Sequence, residues 1–119
     1  AFKAGSDPVV KMFRHLDYIA LDCTVYAELL SGFRLGSMEK KNRKELEDFL
    51  NNPRTELIEH DADTSEFYAK IFTDLRNAGN PIPTNDIWIT AAAMQHGLAL
   101  FSLDKHFSHV PGLLLKLIE

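Results

Sequence analysis

Gly79-Asn80-Pro81-Ile82-Pro83-Thr84-Asn85-Asp86-Ile87-Trp88-Ile89-Thr90-Ala91-Ala92-Ala93-Met94-Gln95-His96-Gly97-Leu98-Ala99-Leu100-Phe101-Ser102-Leu103-Asp104-Lys105-His106-Phe107 is the stretch that decides the fold. It runs as a helix stop, a loop stiffened by proline, a helix, a tight turn, a strand, and a carboxylate beyond that strand. Thr84 is expected to cap the helix, and Ile87, Ala91 and Met94 recur at helical spacing. Ala91 to Ala93 are small enough to let the helix lie close against a sheet. Gly97 is expected to supply the left-handed turn that ends it. Leu98 to Phe101 is wholly apolar, which predicts a strand covered on both faces. Asp86 stands in the first helical turn and Asp104 past the end of the strand. In open α/β sheets ligands bind outside the carboxyl ends of the strands, so two carboxylates delivered there point to chemistry.

Outward from this stretch, short apolar runs alternate with amphipathic ones. Downstream, Phe107 to Pro111 reads as a tight turn and Leu113 to Ile118 as a last strand. Upstream, Asp63-Thr64-Ser65-Glu66 offers a capping box, and a long helix follows through Phe67, Ile71, Phe72 and Leu75 to Gly79. Thr55 to His60 predicts a strand. Ser37 to Asn52 is a charged amphipathic helix anchored by Leu46, Phe49 and Leu50 and stopped by Pro53. Its basic start, Lys40, Lys41, Arg43 and Lys44, reads as a solvated face or as an electrostatic guide for a phosphate backbone. From Thr24, Val25, Leu29 and Phe33 recur at spacing four until Gly36, with Glu28 inside this apolar piece. Tyr18 to Leu21 predicts a buried strand. Ser6 and Asp7 before Pro8 open a short helix that ends near Asp17. This order argues an α/β domain with a mostly parallel sheet.

At 119 residues the chain is expected to form one domain with a real core. A 45% hydrophobic and 25% charged composition is ordinary for a globular protein. The single cysteine, Cys23, excludes an intrachain disulfide and suits a reducing, cytoplasmic setting. No apolar run approaches the roughly 20 residues of a membrane helix. A formal net charge of −4 does not advertise a nucleic-acid binder, although an acidic total can hide a local basic groove. The sequence opens on Ala1 without Met, so an upstream piece is expected.

Three acids stand out by context: Glu28, Asp86 and Asp104. Taken singly, each has an ordinary alternative: an exposed helix residue, a first-turn acid favoured by the helix dipole, and the start of a turn. Taken together without a local Arg or Lys partner, three converging carboxylates would repel one another. A divalent cation resolves that repulsion, and oxygen-only ligands select Mg²⁺ or Mn²⁺. Such a cation can activate water and bind a phosphoryl oxygen in phosphodiester hydrolysis. His106 and His109 have a spacing compatible with zinc but lack a second ligand pair. Trp88 suits packing better than base stacking, and His15, His60 and His96 suit surface or strand-end positions. The P-loop, GxGxxG, GxSxG and HExxH patterns are all missing from the sequence, which leaves nucleotide-cofactor and serine-hydrolase functions unsupported.

Three segments in register carry a resemblance. They are Ala27-Glu28-Leu29-Leu30-Ser31-Gly32-Phe33, Pro81-Ile82-Pro83-Thr84-Asn85-Asp86-Ile87-Trp88-Ile89 and Ser102-Leu103-Asp104-Lys105-His106-Phe107. Together with Pro111-Gly112-Leu113 they resemble PIN-domain nucleases, most nearly the VapC-type toxins of toxin–antitoxin pairs. The resemblance implies a three-layer α/β/α sandwich with a mostly parallel central sheet. It also implies Mg²⁺- or Mn²⁺-dependent endoribonuclease activity, an RNA substrate, a cognate antitoxin partner and a homodimer. In the family's order of four acids, Glu28 matches the second, Asp86 the third and Asp104 the fourth, as metal ligands and catalytic groups. Ser102 matches the small hydroxyl residue two before the last acid, where it would orient the metal's water. The first acid, with the central strand that carries it, has no match among residues 1–119. Asp7 and Asp17 come too late to replace it, and Asp22, just past the end of the second strand and near the expected site, fits no better. A single PIN-like domain lacking its first strand is therefore expected, and in this form poor metal binding and RNA cleavage that is weak or absent. The alternatives are a PIN ribonuclease of RNA processing without an antitoxin, a catalytically inactive PIN-like binding protein, and a receiver-like phosphate-binding module with Asp22 as acceptor.

Overall fold

The computed structural model describes residues 16–102 and 105–117. The body of the helix expected from Pro8 lies outside them. The chain divides after Glu59 into two compact units.

In the first unit, strand β1 (Ile19–Asp22) leads directly into helix α1 (Cys23–Leu35). Helix α2 (Glu39–Leu50) follows, and strand β2 (Thr55–Ile58) returns parallel to β1. Ile19 stands opposite Thr55, and Asp22 opposite Ile58. A parallel pair needs a long crossover, and here α1 and α2 supply it. Asp22 is both the last residue of β1 and the cap of α1: its carboxylate accepts from the Thr24 backbone N–H at 2.8 Å. The helix therefore begins one residue before Thr24. Gly36 closes it with ordinary negative φ, its N–H donating to the Gly32 and Phe33 carbonyls. Phe33 and Leu46 are the buried anchors of the two helices. On α2, Arg43 pairs with Glu39 and Lys44 with Asp48, each one turn apart. Half of the basic cluster is thus answered by its own helix, as on a solvated face. At the turn into β2, the Asn52 side chain accepts from the Arg54 N–H, and the Thr55 hydroxyl reaches the Phe49 and Asn52 carbonyls.

The second unit contains helix α3 (Ala62–Asn77), helix α4 (Thr84–Gln95), strand β3 (Leu100–Ser102), a short 3₁₀ turn (Lys105–His109) and strand β4 (Leu115–Leu117). Its core joins Ile71 and Leu75 of α3 to Ile87 and Ala91 of α4, with Val110 beneath and Phe67, Tyr68, Phe72, Ile82, Met94 and Leu113 around them. Spacings of four residues on each helix place these side chains on facing stripes. Ala91 is fully buried, as a close helix approach requires. Trp88 packs between His60, stacked at 4.8 Å, and Tyr68, tilted at 4.4 Å.

The starts of α3 and α4 also differ from expectation. The box that opens α3 is formed by Asp61 and Thr64, two residues before the expected Asp63: Asp61 accepts from the Thr64 N–H, and the Thr64 hydroxyl accepts from the Asp61 N–H. Gln95 fixes this choice, because its side-chain amide also donates to the Asp61 carboxylate. At α4, Pro83 holds the cap position and Thr84 is already helical, without a side-chain cap. The Pro83 ring presets φ for helix entry, and its carbonyl accepts from the Asp86 and Ile87 N–H groups.

The exit of α4 is as expected. Gly97 has φ +63°, its N–H donates to the Met94 carbonyl, and the Leu98 N–H donates to the Ala93 carbonyl. Those two bonds make a Schellman closure. Because Leu98 is engaged there, β3 begins at Leu100, two residues later than the apolar run suggested. β3 is half-buried along its length and is not fully covered. It pairs parallel with β4, Leu100 opposite Leu115 and Ser102 opposite Leu117. The last strand starts at Leu115, two residues later than expected, and Leu113 is still held in the turn by the Val110 carbonyl. Among the described residues the parallel strands form two two-stranded sheets, β1–β2 and β3–β4.

Candidate functional site

Asp86 sits in the first turn of α4, where the helix's unpaired N–H groups and dipole favour negative charge. Its own N–H is held by the Pro83 carbonyl, and its carbonyl by the Thr90 hydroxyl at 2.7 Å. Thr90 is fully buried. The backbone under this carboxylate is therefore fixed on both sides. The side chain is one-fifth exposed, and its Oδ2 lies 2.6 Å from His106 Nε2. A carboxylate only accepts, so the Nε2–H of His106 is the donor. No described hydrogen bond takes Oδ1, and among the described residues no lysine or arginine lies within ion-pair distance of Asp86.

His106 belongs to the 3₁₀ turn that follows β3, and its ring leans on Phe107 with centroids 4.7 Å apart. Phe107 is buried and anchors that turn. The sequence offered His106 as a zinc partner of His109; the structure gives its Nε2 to Asp86 and leaves His109 exposed. What the sequence missed was the Asp86–His106 pair. The two residues stand twenty positions apart, and no local pattern links them.

The remaining candidates fall as follows. Ser102 ends β3, half-buried, on the same segment that carries His106. Asp104 lies outside the described residues. Glu28 stands on α1 in the first unit, solvent-exposed. Asp22, which the sequence left near the strand ends, is buried as the α1 cap. Trp88 is a packing residue, as expected.

Comparison with known proteins bears on the family and the fold. The PIN domain family model matches residues 3–113. The chain is 30% identical over 99 residues to Ribonuclease VapC2 of Rickettsia felis, covering 82% of this chain and 72% of that protein. It is 36% identical over 58 residues to Ribonuclease VapC4 of Mycobacterium tuberculosis, covering 49% of this chain and 45% of that one. Among solved structures, VapBC2 from Rickettsia felis, bound to a DNA fragment from its promoter, superposes with a TM-score of 0.81 at 26% identity, covering 93% of this chain and 83% of its own. The DNA-bound VapBC of Salmonella typhimurium shares the fold with a TM-score of 0.85 at 19% identity, covering 96% and 86%. The α/β fold with parallel strands is thus the PIN-domain fold, whose members are nucleases. The chain belongs to the PIN-domain family, and within it to the group that holds the VapC ribonucleases.

Proposed function

We propose that this protein is a divalent-metal-dependent endoribonuclease, the toxin of a toxin–antitoxin pair. The observation that carries it is Asp86. It is a first-turn carboxylate on a fixed backbone, with one oxygen held by His106 and the other left open by the described residues. It stands in a chain whose relatives are ribonucleases. Hard oxygen donors of this kind suit Mg²⁺ or Mn²⁺. Asp86 would ligate the cation, with Glu28 and Asp104 ligating directly or through water, and Ser102 orienting that water. A cation bound there supplies an activated water and charge stabilisation at a phosphoryl oxygen. His106, on the 3₁₀ turn after β3, faces the Asp86 carboxylate and holds one of its oxygens. An RNA strand is the substrate. A cognate antitoxin, as in the VapBC complexes that share the fold, is the regulatory partner. A homodimer acting in the cytoplasm completes the proposal.

The test is RNA cleavage by the full-length natural protein with Mg²⁺ or Mn²⁺, with and without Asp86→Asn. Metal-dependent cleavage that disappears in Asp86→Asn is the expected result. Metal-independent cleavage, or equal activity in the variant, would overturn it. Growth arrest relieved by the product of a neighbouring small gene separates a toxin from a ribonuclease of RNA processing.

A further inference from the structure

We propose that His106 is a positioning residue for Asp86: its Nε2–H holds Oδ2 and so aims Oδ1 at the cation. This rests on the metal-dependent reading of Asp86 given above. A free aspartate can rotate about its terminal torsion through a broad, two-fold well, which blurs the position of a ligating oxygen. At 2.6 Å the imidazole removes that freedom from one side, while the Pro83 and Thr90 contacts remove backbone freedom from the other.

The histidine is itself held in place. It stands on a short 3₁₀ turn whose next residue, Phe107, is buried, and its ring leans on that phenyl group. A donor on a fixed ring differs from a surface lysine, whose long stem would follow the carboxylate wherever it moved. Carboxylates that bind metals are commonly held by such hydrogen-bonded partners, whose loss costs about 10- to 100-fold in metal affinity. Donation through Nε2 keeps that nitrogen from ligating the metal, so through it His106 acts by way of Asp86.

Two substitutions separate this role from simple packing. His106→Phe keeps the ring against Phe107 and removes the donor; His106→Gln keeps an amide N–H within reach of the Nε2 position. Mn²⁺ binding to the full-length protein is followed by electron paramagnetic resonance, beside thermal unfolding of the metal-free form. The expected result is about a 10- to 100-fold loss of Mn²⁺ affinity in His106→Phe, substantial recovery in His106→Gln, and an unchanged metal-free Tm in both. Unchanged Mn²⁺ affinity in His106→Phe would overturn the positioning role. So would a Tm loss that His106→Gln fails to reverse. Asp86→Asn is the reference: if the wild type binds Mn²⁺ and Asp86→Asn does not, a silent His106→Phe refutes the positioning role alone. If Asp86→Asn binds as the wild type does, the metal reading of Asp86 falls with it.

Discussion

The Thr64 hydroxyl and the Gln95 side-chain carbonyl meet at 2.5 Å across thirty-one residues of chain. The contact ties the first turn of α3 to the last residue of α4. Gln95 Nε2 donates to Asp61 Oδ1 at 3.0 Å, so the cap of one helix and the end of the other share a closed set of hydrogen bonds. Thr64 is completely buried. Thr64→Val keeps its shape but strips the hydroxyl, leaving the Asp61 N–H and the Gln95 carbonyl without their partner. A loss of about 1–3 kcal/mol is expected in a urea titration. Thr64→Ser, which keeps the hydroxyl, should lose less. Equal losses in both variants would mean that the methyl group matters and the hydrogen bonds do not.

Acid should loosen the same cap. The Asp61 carboxyl is held below its ordinary range by the Thr64 N–H, then by the Gln95 amide and the Thr64 hydroxyl. A depressed carboxyl favours the folded state at every pH above the unfolded-chain value near 3.8. That advantage disappears as pH falls through the folded value. Thermal unfolding between pH 7 and 3 should therefore show a shallower acid limb in Asp61→Asn, which caps without a charge. A limb as steep as the wild type would assign the acid sensitivity to other carboxylates.

Reading from sequence succeeded where the deciding chemistry was local. Gly97 was legible because glycine after an apolar helical run is a common helix ending, and Asp86 because a first-turn acid marks its own position. The α3 cap was misplaced because Asp61 is selected by Gln95, thirty-four residues away. Thr84 yielded to Pro83 because a preset φ and a carbonyl can open a helix without a capping side chain. The length of β3 was misjudged because Leu98 is apolar yet closes the preceding helix. In the candidate site, the acids were visible as residue types in a motif. His106 was not visible as the partner of Asp86, since that pairing depends on where the 3₁₀ turn sets its ring.

Gly97 offers a clean test of backbone strain. A Cβ built there meets nothing within 4 Å, so substitution meets no steric neighbour. The φ of +63° alone opposes a side chain. Gly97→Ala should cost about 1–2 kcal/mol, from the left-handed conformation itself. Gly97→Asn should cost less, because asparagine visits that region more readily. Urea denaturation of both variants measures the difference. Equal losses would point away from φ and towards some other feature of the turn.

Glu28 and Asp86 should separate stability from activity in opposite ways. Glu28 is exposed on α1, so Glu28→Gln should change unfolding free energy by no more than about 0.5 kcal/mol. If it serves the metal site, RNA cleavage should nonetheless fall by about 10²-fold or more, a loss typical of a missing acid–base group. Asp86→Asn should abolish cleavage and also disturb its contact with His106, because an amide nitrogen facing Nε2–H offers no acceptor. Its side chain can turn its oxygen towards His106 instead, and then only the metal face is lost. Measuring unfolding and cleavage on the same preparations distinguishes these outcomes. A Glu28→Gln variant that cleaves RNA at the wild-type rate would remove Glu28 from the catalytic set and leave it an ordinary surface residue of α1.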